Sequence, residues 1–86
     1  MKVVAKPITM IAVFDQRGVP KPIKFKVEED GGSYIVKVDK IIKTEQIRPA
    51  GMDALVFLCQ SAINDILKQY EIVYRIKQHL WELYKI

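Results

Sequence analysis

From Leu55 to Ile86 the large apolar residues fall into register when the chain is folded as two antiparallel hairpins. A turn centred on Asn64-Asp65 sets Ile63 opposite Ile66, Cys59 opposite Tyr70, Phe57 opposite Ile72 and Leu55 opposite Tyr74. A second turn, closed over Lys77 to Leu80, sets Ile76 opposite Trp81 and Tyr74 opposite Leu83. Directly opposed residues of an antiparallel pair point to the same side. One sheet face therefore carries Leu55, Phe57, Cys59, Tyr70, Ile72, Tyr74, Ile76, Trp81 and Leu83.

Upstream, Met1 to Pro7 reads as a loosely held arm. Ile8 to Asp15 is rich in β-formers and apolar on both faces, as in a central strand. Asp15 to Gly18 is a turn, and Pro20 and Pro22 hold the following residues extended. Ile23 to Glu28 alternates strictly, with Ile23, Phe25 and Val27 inward and Lys24, Lys26 and Glu28 outward. Glu29 to Ser33 reverses the chain, and Tyr34, Val36 and Val38 resume the apolar face opposite Val27, Phe25 and Ile23. The phase stumbles at Lys40-Ile41-Ile42, where a β-bulge gives both isoleucines cover. Gln46 to Asp53, with Pro49 and Gly51, is the longest loop.

A helical reading competes over the last third. Leu55, Cys59, Ala62, Ile63, Ile66, Tyr70, Val73, Lys77, Leu80 and Tyr84 also lie near helical spacing, with no Pro or Gly to interrupt them. A helix of that length spans roughly 50 Å at 1.5 Å per residue, too long to seat on a sheet some 20 Å across. Ile72-Val73-Tyr74 is also β-branched and aromatic. The pattern predicts an all-β domain over residues 1–86, a six-stranded antiparallel meander curled into a small barrel or strongly twisted sheet.

Composition narrows the function classes without choosing among them. The net charge of +4 permits an anionic partner. The excess is lysine, eleven against three arginines, which suits a solvated surface better than phosphate recognition. One cysteine allows no intramolecular disulfide, pointing to a reducing compartment. No apolar run reaches membrane-spanning length. Lys6 and Pro7 interrupt the N-terminal apolar residues, and no small-residue cleavage site follows Ile8 to Phe14. A cytoplasmic protein that does not engage membranes is expected.

The sequence carries no catalytic constellation. His79, the only histidine, lies in a turn tip without converging ligands, so neither a metal nor another cofactor is expected. Cys59 points into the core beside Tyr70, where a thiol without a cationic neighbour is inert. Gly31-Gly32 is a turn rather than a phosphate cradle, since no helix start follows it.

Two outward faces are more suggestive. If Val27 faces Tyr34, Lys24 faces Lys37 directly, with Lys21 and Lys26 extending the strip. Opposed like charges destabilise a sheet by up to about 1 kcal/mol, and an anion such as a nucleic acid relieves them. No aromatic is predicted there to stack a base. On the C-terminal hairpins Val56, Val73 and Tyr84 line up across three strands, with Leu58 and Ile86 beside them and Arg75 facing Glu82. That apolar row needs a cover: the N-terminal arm, a second copy of the chain, or another protein.

Met10-Ile11-Ala12, Phe14, Gly18, Pro20, Pro22 and Phe25 resemble the opening of a group of small uncharacterised bacterial proteins, a β-rich domain of unknown function. Phe57-x-Cys59-Gln60-Ser61, Ile63-Asn64, Tyr70-Glu71, Tyr74 and Trp81-x-Leu83-Tyr84-Lys85-Ile86 resemble their ending. The resemblance runs from about Lys6 to the C-terminus and implies a single β domain, with no activity or ligand residues. Asp65 stands where a turn glycine is expected. The expected function is a non-enzymatic interaction module that self-associates or binds another protein through Val56, Leu58, Val73, Tyr84 and Ile86. The alternative is weak nucleic-acid binding through Lys21, Lys24, Lys26 and Lys37.

Overall fold

The hairpin predicted around Asn64-Asp65 forms in the expected register, with Ile63↔Ile66, Cys59↔Tyr70, Phe57↔Ile72 and Leu55↔Tyr74 paired. Both turn residues take left-handed backbone angles, φ 51° at Asn64 and 63° at Asp65. That geometry matches the right-handed strand twist, so the two-residue turn stays tight without a glycine. In the computed structural model, which describes all 86 residues, seven strands account for most of the chain. They are β1 (Val3–Phe14), β2 (Pro20–Glu29), β3 (Gly32–Lys37), β4 (Lys40–Ile47), β5 (Ala54–Ile63), β6 (Ile66–Arg75) and β7 (Leu80–Lys85). A single 3-10 turn lies at Pro49–Gly51.

The all-β reading holds, and the helical alternative does not: residues 54–85 form three strands joined by turns. The longest axis of the molecule is 35 Å, well short of the helix that alternative required. The strand count is seven rather than six. The run from Tyr34 through Lys40-Ile41-Ile42, expected as one bulged strand, breaks at Val38-Asp39 into β3 and β4. A bulge does occur, between Ile41 and Lys43, but inside β4. β3 pairs with β2, whereas β4 pairs with β5.

The consequence is a sheet ordered β3-β2-β1-β7-β6-β5-β4, all antiparallel, curled into a half-barrel. The simple meander is corrected accordingly. β1 and β7 are neighbours at the centre of the sheet, and the two edges are the consecutive strands β3 and β4. The expected loose arm is therefore ordered. β1 starts at Val3 and pairs with β7 through Val3↔Lys85, Lys6↔Leu83, Pro7↔Glu82 and Ile8↔Trp81. Lys2 and Ile86 exchange backbone hydrogen bonds of 2.8 and 3.0 Å. The expected long loop is shorter too, since Gln46 and Ile47 belong to β4.

The second hairpin slips two residues from expectation, pairing Tyr74 with Trp81 and Ile72 with Leu83. A two-residue slip keeps every side chain on its face. Trp81 and Leu83 thus remain inward, but Ile76 leaves the ladder for an exposed turn. The concave face collects Phe25, Val27, Val36, Phe57, Cys59, Tyr70, Ile72, Tyr74 and Leu83 into one core. Withdrawing a large apolar side chain of this kind from water contributes about 1.5–3 kcal/mol. Trp81 stacks on Phe57 (centroids 5.8 Å apart) and tilts against Tyr74 at 4.5 Å.

Side chains close the seam where the chain crosses from one sheet edge to the other. The buried Ser61 hydroxyl lies 2.6 Å from the Lys37 carbonyl and 2.6 Å from the Tyr70 hydroxyl. It also accepts from the Asp39 backbone N–H at 3.3 Å, while the Asp39 carboxylate accepts from the Ala62 N–H at 3.0 Å. These bonds satisfy backbone groups that no neighbouring strand reaches.

Candidate binding surfaces

Strand pairing builds two rungs across the convex side of β1, β2 and β3. One runs Ile11–Lys24–Lys37 and the other Thr9–Lys26–Ile35. Val13 opposite Lys21 extends the same side. Lys24 stands directly opposite Lys37, as the alternation predicts, and all four lysines are exposed. Lys26 reaches Glu28 at 3.7 Å, but Lys21, Lys24 and Lys37 take part in none of the ion pairs of the molecule. Asp39, two residues beyond Lys37, has one carboxylate oxygen engaged by the Ala62 N–H.

Aliphatic side chains share that face with the cations. Ile11, Val13 and Ile35 are 54%, 58% and 67% exposed. A shallow hollow of about 210 Å³, lined by Thr9, Ile11, Lys24, Phe25, Lys26 and Ile35, lies between them. The lysines were legible from the alternation of β2 and β3. The isoleucines and valine were missed as surface residues, although Ile8 to Asp15 was read as apolar on both faces. The outward half of that pattern simply has nothing packed over it.

The C-terminal apolar row is built differently from expectation. Val56 pairs with Val73, but Val73 then pairs with Glu82, not Tyr84. Tyr84 occupies a bulge opposite the Glu71-Ile72 step, a device that inserts an extra residue and turns the next one over. Tyr84 thus stays on the convex side, while Ile86 swings inward to pack against the core. Val73 is only 2% exposed in the isolated chain. A hollow of about 250 Å³ lies beside it, lined also by Val56, Glu71, Arg75 and Tyr84, and Arg75 bonds Glu82 diagonally at 3.0 Å. Leu58 and Val56 are half-buried. The N-terminal arm does not lie across this row, because it pairs with β7 within the sheet.

Cys59 and His79 lie apart from both surfaces. Burial pushes the Cys59 thiol up to about 12, so it stays protonated and weakly nucleophilic. His79 sits at the β6–β7 turn with φ 56°, its Nδ1 3.4 Å from the Tyr74 hydroxyl. No three His, Cys, Asp or Glu side chains converge as a metal site would require. No helix is long and apolar enough to cross a membrane. Searches of protein-family models, curated proteins and solved structures return no match to this chain, so the resemblance to small bacterial β-domains has no counterpart among them.

Proposed function

We propose that this chain is a non-enzymatic interaction module that docks an acidic protein surface on the convex side of β1, β2 and β3. The observation that carries the reading is the rung Ile11–Lys24–Lys37, which opposes two unneutralised ammonium groups beside an exposed isoleucine. Holding like charges across a strand pair costs up to about 1 kcal/mol, and a carboxylate arriving between them removes that repulsion. Ile11, Val13 and Ile35 add apolar area around the cations, the mixture of apolar contact and charged rim that protein interfaces use.

The runner-up is nucleic-acid binding through Lys21, Lys24, Lys26 and Lys37. The absence of ion pairs at three of these lysines favours it; the lack of any aromatic on this face counts against it. One titration series separates the two. The probes are a peptide alternating glutamate and leucine, and a single-stranded RNA, each followed by backbone amide shifts at two salt concentrations. The protein-docking reading expects peptide-induced shifts along β1 to β3 that vanish when Ile11 and Ile35 are changed to serine. RNA binding that weakens steeply with salt and survives those serines would establish the runner-up instead. Shifts confined to other strands would remove both.

A further inference from the structure

We infer that β4 is a self-pairing edge: it adds antiparallel to β4 of a second copy about a two-fold axis through Thr44, making a homodimer. β4 ends the sheet, with β5 on one side and no strand on the other. Residues Ile42 to Gln46 are all exposed. The direction of their backbone groups follows from the ladder. The two-residue turn makes Ile63↔Ile66 a hydrogen-bonded pair, so Ser61, Cys59, Phe57 and Leu55 bond β6, while Leu58, Val56 and Ala54 bond β4. Their partners are Lys43, Glu45 and Ile47. The bond from the Ile76 N–H to the Asp53 carbonyl obeys the same phase. Thr44 and Gln46 therefore direct their N–H and C=O groups to the open edge, where no group of the same chain meets them.

That open edge is complementary to itself in hydrogen bonds and in charge. A two-fold through Thr44 lets the two Thr44 residues exchange both backbone bonds. The same register sets Lys43 opposite Glu45 of the second copy, and Glu45 opposite its Lys43. Within one chain Lys43 and Glu45 already form an ion pair on the exposed side of β4, so both charges stand ready at the edge. The bulge between Ile41 and Lys43 limits the ladder to a few residues, which makes the dimer weak and concentration-dependent. This surface lies across the sheet from the basic face, so the inference stands or falls separately from the proposed function.

Sedimentation velocity over a wide concentration range tests it, with three variants checked for an unchanged far-ultraviolet spectrum. Thr44→Pro removes an N–H that bonds nothing within the chain, a change edge strands tolerate, and should abolish association. Lys43→Glu puts acid against acid twice and should weaken association about tenfold or more. The exchange Lys43→Glu with Glu45→Lys restores both opposed pairs and should restore the dimer. A wild-type chain that stays monomeric at every concentration overturns the inference, because the bulge and lysines would then be guarding the edge. A dimer indifferent to Thr44→Pro or Lys43→Glu, or not rescued by the exchange, overturns it equally.

Discussion

Tyr70 and Cys59 show what burial does to single residues here. Both are fully withdrawn from solvent, and both are held protonated, with burial pushing each to about 12 from ordinary values of 10.0 and 9.0. The unfolded chain releases these protons at the ordinary values, so above pH 9 it binds fewer protons than the native state. Stability is therefore intact below pH 9 and falls as pH rises from 9 towards 12. Each group contributes a slope of about 1.4 kcal/mol per pH unit once its unfolded form ionises. Denaturant midpoints measured across this range should fall, and Tyr70→Phe should remove roughly half the slope above pH 10. Near neutral pH the same substitution should cost about 1–2 kcal/mol, since the buried Ser61 hydroxyl loses its shortest side-chain partner.

At the scale of elements, the N-terminal residues and the Asn64-Asp65 turn make opposite demands on the sequence. Residues 1–6, expected as a loose arm, shift register against β7 between Val3 and Lys6, with Ala5 at φ 45°. They are nonetheless a strand end bonded to β7 and to Ile86. Deleting Met1 to Ala5 should destabilise the domain by about 2–4 kcal/mol, as several backbone bonds at about 0.5–1.5 kcal/mol each are lost. A loose arm would leave the denaturation midpoint unchanged. The turn asks for positive φ at two successive residues, and Asp65 supplies it less readily than glycine. Asp65→Gly should raise stability by about 0.5 kcal/mol, read as a shift of the urea midpoint at constant slope.

At the scale of the whole molecule, the half-barrel leaves its convex side uncovered, and the two halves of that side meet water differently. The C-terminal half hides Val73 under its own neighbours and pairs Arg75 with Glu82. The N-terminal half leaves lysines unpaired beside exposed aliphatic residues. A surface kept for binding carries a stability penalty that a purely structural one does not. Lys37→Glu converts the opposed pair with Lys24 into an attractive one and should raise stability by about 0.5–1 kcal/mol. On the proposed function it should also weaken capture of the acidic peptide, so thermal stability and binding should move in opposite directions.

Strand-level information was local and so was readable from the chain. Strict alternation from Ile23 to Glu28 in β2, the mirrored aromatics of β5 and β6, and a two-residue turn between them each involve residues close in sequence. Their period of two allows one register with the apolar set buried. The Lys24–Lys37 opposition follows from the same rule. What the tertiary structure decided were the contacts between distant residues. Pairing of β1 with β7 joins the two ends of the chain, and no pattern within either end encodes its partner. That pairing makes β3 and β4 the edges, splits one apparent strand in two, and leaves β4 open. The bulge at Tyr84 acts the same way: a single extra residue sends Ile86 to the core and keeps Tyr84 beside Val73. A face is set by alternation along one strand, but whether water reaches that face depends on what the rest of the molecule lays across it.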